Sequence, residues 1–234
     1  MDRTETGRKS TGVGKLDELM EGGFKEDSVN LLEGDPGSGK STFALQYLLA
    51  GVKAGERGVY ISVEETKKSF THNMARFGYN IEEYENAGNF LFFECTSQKM
   101  KDFLDKGSLG IEQEIIQMQA KRIVLDSISA FVLNYENESK QRTAVQRLFE
   151  KLKSWNVTTL IVSESSQDYT PFGLTYIVDG WIKLYYKKVG QERVRTLEVL
   201  KMRGTKHKTT ETVYRIEDTG INLYPNERVF HDMA

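Results

Sequence analysis

The chain holds one cysteine, Cys95, and three prolines in 234 residues. A single cysteine excludes an internal disulfide framework and suits a reducing compartment. Cys95 closes the largely apolar run 90–95, so it reads as a core side chain. No apolar run approaches the roughly 18 residues that a membrane-spanning helix needs. The stretch 1–11 is polar and charged, unlike a secretory signal. A cytoplasmic protein without membrane contact is the expectation. The net charge of −2, with 28% charged residues, gives no global pull toward nucleic acid, although local basic patches remain open. Linkers, low-complexity segments and internal repeats are also missing. Residues 11–234 are therefore expected to form one domain behind a flexible N-terminal arm over 1–10, and that length buries a full core without staples.

What is present is organised around one stretch. Gly34, Asp35, Pro36, Gly37, Ser38, Gly39, Lys40 and Ser41 fit the spacing G-x-x-x-x-G-K-S, and Thr42 follows. A loop that wraps a triphosphate must turn its N–H groups inward, through backbone angles that a Cβ penalises, which is why glycines recur. Lys40 supplies a charge to the β- and γ-phosphates and Ser41 a hydroxyl to Mg²⁺. The helix that follows points its positive end at the anion. The context agrees: 29–32 reads as a short buried strand, and Phe43, Ala44, Tyr47, Leu48 and Gly51 recur at helical steps over 42–52.

Further buried strands end in polar groups. The run 58–63 stops at Glu64 and Glu65, and 123–125 closes on Asp126. The run 158–162 closes on Ser163 and Glu164. In open parallel sheets ligands bind outside the carboxyl ends of the strands. Asp126 is then the metal-side carboxylate, usually acting through water. Glu64 or Glu65 can orient the attacking water, against the alternative of an acidic helix start. Ser163 is a candidate γ-phosphate sensor, with a solvated turn as the competing account. Helices are expected around Leu16, Leu19 and Met20, around Phe70, Met74 and Phe77, over 111–118, and from Val145 to Trp155, whereas 99–106 and 134–141 read as polar loops. Near the C-terminus the period changes. The runs 180–186, 194–202, 213–216 and 221–224 are strand-like with Gly-bearing turns, as in antiparallel hairpins appended to a parallel sheet.

Taken together, these residues resemble the single-domain, archaeal-type members of the KaiC/RadA branch of RecA-like ATPases. The likeness runs from Thr11 and Gly12 to Pro225, and its most diagnostic piece is Lys201, Met202, Arg203, Gly204, Thr205, Lys206, His207, a K-x-R-G-x-x-H pattern. The resemblance implies an α/β, RecA-like P-loop NTPase fold: a mostly parallel twisted central sheet flanked by helices, with C-terminal antiparallel strands. It implies ATP and Mg²⁺ as cofactors and slow hydrolysis, with Glu64 and Glu65 as catalytic glutamates. It further implies a homo-oligomer, a hexameric ring with ATP between subunits. In that ring Lys201, Arg203 and His207 would touch a neighbour's phosphates, where a cation neutralises charge that develops during transfer. These residues show one ATPase domain and no helical DNA-binding domain ahead of the core, so neither double-ring behaviour nor strand exchange is expected of them. Two alternatives stand beside the ATPase. One is a recombination accessory binding DNA weakly through 134–142 and 165–176, where Lys140 and Arg142 are the only cations. The other is an ATP-switched scaffold or autokinase, with Thr175 and Tyr176 at the family's phospho-acceptor positions.

Overall fold

The strand Val29–Gly34 is buried along its whole length, its polar Asn30 and Glu33 included, as happens when helices cover both faces of a sheet. The computed structural model describes residues 7–106, 110–165 and 173–227. In chain order the strands and helices are β1 (Arg8–Lys9), a 3-10 turn (Asp17–Met20), β2 (Phe24–Lys25), β3 (Val29–Gly34), α1 (Lys40–Lys53) and β4 (Gly58–Ser62). There follow α2 (Lys67–Ala75), α3 (Ile81–Asn86), β5 (Phe90–Glu94), α4 (Ser97–Lys106), α5 (Ile111–Met118), β6 (Arg122–Asp126), α6 (Ile128–Val132) and α7 (Glu138–Ser154). The rest are β7 (Thr158–Glu164), α8 (Leu174–Ile177), β8 (Gly180–Val189), β9 (Glu192–Met202), β10 (Thr212–Glu217) and β11 (Gly220–Tyr224).

Nine strands form one sheet in the order β11, β10, β9, β8, β3, β7, β6, β4, β5. From β8 to β5 every neighbouring pair is parallel, and from β8 to β11 every pair is antiparallel. The expected α/β architecture with C-terminal hairpins is therefore present. Two apolar clusters cover the faces. One joins α1 (Phe43, Tyr47, Leu48) to α2 and the C-terminal strands, and the other joins α4, α5, α6 and α7 to the opposite face. Register aligns the strand ends that matter: Gly34 lies opposite Glu164, and Ser62 opposite Asp126.

Some expectations change. The stretch 99–106 is helical rather than a loop, because Met100 and Phe103 sit one turn apart and both bury in the second cluster, and Thr96 Oγ1 accepts from the Lys99 N–H at 3.2 Å. Helix α7 begins inside the stretch 134–141, where the Asn137 side chain accepts from the Lys140 N–H. The arm over 1–10 is fixed at its end: β1 pairs with β2, and Lys9 reaches Glu26 at 2.7 Å and Glu56 at 2.5 Å. Residues 1–6 lie outside the described part. Arg122, 2% exposed, completes that junction by donating to Glu56, Ser10 O and Tyr47 O. Cys95 is buried in the second cluster, and burial pushes its thiol up to about 11, so it behaves as an apolar side chain.

Candidate nucleotide site

The loop between β3 and α1 needs its glycines. Gly37 and Gly39 have φ of 76° and 91°, in the left-handed region. A Cβ on Gly39 would also stand 2.7 Å from Ile216 Cδ1. The C-terminal strands hold the loop from behind. The Asp35 N–H donates to Leu184 O at 3.2 Å, and the Tyr186 N–H donates to Asp35 Oδ2 at 2.8 Å. Arg195 Nε donates to Gly37 O at 3.1 Å, and Tyr214 Oη to Ser38 O at 2.5 Å. Thus β8, β9 and β10 each contribute to one wall of the loop. Pro36 is exposed, while Ser38 and Thr42 are buried beneath it. The Ser38 hydroxyl is sealed from solvent without a hydrogen-bond partner.

Lys40 begins α1 and donates to Gly34 O at 2.9 Å and Asp35 O at 3.2 Å. Burial pulls its ammonium below the ordinary lysine range, against the pull of Glu164, Asp126, Asp35 and Glu64. A phosphate beside it would reverse that trend. Ser41 Oγ donates to Asp126 Oδ2 at 2.9 Å, so the two metal-side candidates meet across the sheet from β6 to α1. Burial pushes the Asp126 carboxyl up, opposed by hydrogen bonds from Tyr60 and Ser41 and by the charge of Lys40. A half-buried hydroxyl–carboxylate pair at the end of a strand, with cationic compensation on one side only, fits a hard divalent cation. Among the described residues there is no cluster of three or more His, Cys, Asp and Glu side chains. Mg²⁺ needs none, because phosphates and water supply most of its ligands.

The two glutamates after β4 part company. The Glu65 carboxylate accepts from Ser69 Oγ at 2.7 Å and Asn73 Nδ2 at 2.9 Å, both on α2. Glu64 is exposed and accepts from Ser127 Oγ at 3.2 Å, one residue beyond Asp126. Ser163 is 1% exposed, and its hydroxyl lies 3.4 Å from Ser129 Oγ in α6. The next residue, Glu164, takes the place at the strand end opposite Gly34, and its N–H donates to Ser129 Oγ at 3.0 Å.

Lys201, Arg203 and His207 stand elsewhere. Lys201 Nζ donates to Thr175 O at 2.9 Å and Tyr176 O at 3.0 Å, and Arg203 donates to Tyr176 O at 2.8 Å. They cap the last turn of α8. Burial and the adjacent Arg203 lower the Lys201 ammonium, while Asp179 raises it. His207 Nδ1 is buried without a partner. Register fixes the separation: Met202 pairs with Gly180, and Gly180 with Asn30 near the start of β3, four residues before Gly34. At 3.3 Å per residue that is roughly 13 Å of strand between them and the loop.

Sequence reasoning missed several neighbours of the loop. Tyr60 Oη donates to Asp126 Oδ2 at 2.5 Å. A cleft beside the loop is lined by Arg76, Phe77, Arg195, Ile216, Glu217 and Asp218. Ile216 ties this cleft to Gly39, and Arg195 ties it to Gly37. A flat ring, an apolar side chain and a carboxylate beside a phosphate loop can receive a purine base.

Comparison with known proteins agrees with this geometry. A family model described as "ATPase: KaiC" matches residues 9–228. A UPF0273 protein of Pyrococcus horikoshii is 33% identical over 95% of this chain and 96% of its own. The circadian clock oscillator protein KaiC of Parathermosynechococcus lividus is 30% identical over 93% of this chain, which spans 42% of that longer protein. The crystal structure of a KaiC-like protein from Pyrococcus horikoshii superposes with a TM-score of 0.85 at 33% identity, covering 94% of this chain and all of that one. The fold and the phosphate loop define a RecA-like P-loop ATPase. Within that class, the chain belongs to the KaiC family. Among the described residues no helix is long and apolar enough to cross a membrane.

Proposed function

We propose that this chain binds ATP with Mg²⁺ and hydrolyses it slowly at a site completed by a neighbouring copy of itself. The loop residues 34–42 hold the phosphates, with Lys40 released from Gly34 O and Asp35 O to meet them. The cleft at Phe77, Ile216 and Asp218 takes the base. Ser41 and Asp126 would hold Mg²⁺, which when bound supplies charge neutralisation on the phosphate oxygens. Glu64, free of α2 and beside Ser127, orients the attacking water and accepts its proton.

The observation that carries the in-trans half is the layout of β9. Its Arg195 touches the chain's own loop, whereas Lys201, six residues on, sits at the opposite end of the strands among the α8 carbonyls. These cations do not serve their own phosphates. Presented at the end of the strands away from the loop, they fit a second copy's nucleotide in a closed homo-oligomeric ring, for which a hexamer is the family-based expectation. One domain of this kind suffices for such a ring, and a cytoplasmic setting matches the single unpaired thiol. Phosphate release from ATP by the purified protein tests the reading, with Lys40→Ala expected to abolish nucleotide binding. Equal turnover in Lys40→Ala would refute it.

A further inference from the structure

Asp126 has a second partner on the protein besides Ser41. Tyr60 Oη donates to Oδ2, the oxygen that also takes the Ser41 hydroxyl. No donor among the described residues reaches Oδ1. Tyr60 stands on β4 two residues before Ser62, the register partner of Asp126, so its phenol reaches along the seam between adjacent strands. Its ring is clamped. It stacks on Phe92 with centroids 5.3 Å apart and planes 11° apart, and it lies 4.5 Å from the ring of Phe70. Phe70 and Phe92 also touch each other, at 4.9 Å.

Tyr60 is 1% exposed. Among these rings a phenylalanine would fill the same space and bury no polar atom, so packing does not account for the hydroxyl. What accounts for it is the acceptor. A carboxylate oxygen offers two lone-pair sites, and Ser41 and Tyr60 together occupy those of Oδ2. The open oxygen is Oδ1.

We propose that Tyr60 is a positioning residue for the divalent cation: it fixes the Asp126 carboxylate through Oδ2 and leaves Oδ1 as the oxygen that would take the cation or a water bound to it. This rests on the reading of Asp126 as the metal-side carboxylate. The aromatic clamp gives the phenol one orientation, and the phenol gives the carboxylate one. Removing such an outer partner lowers metal affinity by about 10- to 100-fold in comparable sites.

The test is a Mg²⁺ titration of the full chain with a fluorescent ATP analogue bound, compared with the analogue's affinity in EDTA. In Tyr60→Phe the rings still stack. The Mg²⁺ midpoint is expected to rise by about ten-fold or more, with affinity in EDTA unchanged. Phe92→Leu, which loosens the clamp and keeps the hydroxyl, is expected to shift the midpoint the same way by less. Asp126→Asn separates the two ideas. If it loses the Mg²⁺ response while Tyr60→Phe keeps the wild-type midpoint, the Tyr60 inference is overturned and Asp126 stands. A wild-type response in Asp126→Asn overturns the underlying reading. Equal weakening with and without Mg²⁺ in Tyr60→Phe shows a general packing role and also overturns the inference.

Discussion

Replacing Glu64 and Glu65 one at a time separates two carboxylates that adjoin in the chain but face different partners. Glu65 accepts from Ser69 and Asn73 on α2, while Glu64 accepts from Ser127 beside Asp126. A positioned general base contributes about 10²- to 10⁴-fold, so Glu64→Gln should slow turnover by at least about 100-fold, equivalent to some 2.7 kcal/mol in the barrier. Nucleotide affinity should hold within a few-fold, because no phosphate contact is lost. Glu65→Gln keeps one acceptor oxygen and changes only the seating of α2, so its turnover should fall by less than about ten-fold. Single-turnover phosphate release with pre-bound ATP reads the chemical step apart from binding. The assignment fails if Glu65→Gln is the slower variant, or if Glu64→Gln turns over as fast as the parent.

Two further outcomes follow from contacts away from the phosphates. Phe77→Leu removes the flat ring from the cleft that Arg195 and Asp218 also line, and should weaken ATP more than inorganic triphosphate; equal weakening of both would place the base elsewhere. At the N-terminal junction, burial pushes the Glu56 carboxyl up, but hydrogen bonds from Lys9 and Arg122 and their charges outweigh it and hold the group below 4.5. The sign follows: the stabilisation is complete above the ordinary value and is lost as pH falls through it toward the lower folded value. Denaturant midpoints of Glu56→Gln should therefore lie below those of the parent at neutral pH and converge with them as pH falls below the ordinary carboxylate range. A constant gap across that range would exclude Glu56 as the titrating partner.

The parts of the site that lie next to one another in the chain, or end a buried run, were legible in the sequence. The glycines around Lys40 and the acids closing 58–62 and 122–126 announce themselves by spacing and by an abrupt change from apolar to charged. What depends on sheet order did not show. Tyr60 reaches Asp126 only because β4 lies beside β6, and Arg195 reaches Gly37 and the cleft lined by Phe77 only because β8 and β9 follow β3 in the sheet; nothing local in those residues distinguishes them from ordinary strand and helix side chains. One misreading had a signal, and so did one feature of β9. Met100 and Phe103 carry a helical step through a stretch whose lysines and aspartates suggested a loop. In β9 the buried apolar residues run Leu197, Val199, Met202, a step of two and then of three, which is the mark of the bulge where Ile182 pairs with Val199 and Trp181 with Lys201. That extra residue, Leu200, leaves Arg195 on the face of the phosphate loop and Lys201 on the face of α8.

The shared site is tested most directly by mixing two inactive proteins. Lys40→Ala retains Lys201, Arg203 and His207 but cannot hold ATP, and a Lys201→Ala/Arg203→Ala double variant holds ATP but lacks two of the three groups offered to a neighbour. Each alone should release phosphate at a small fraction of the parent rate. Mixed after disassembly and reassembled with ATP and Mg²⁺, they should recover a substantial part of it, because some interfaces pair an intact loop with an intact segment. Recovery of activity on mixing is the predicted result. No recovery from chains shown to co-assemble, or full activity in the double variant alone, would contradict a site built from two copies.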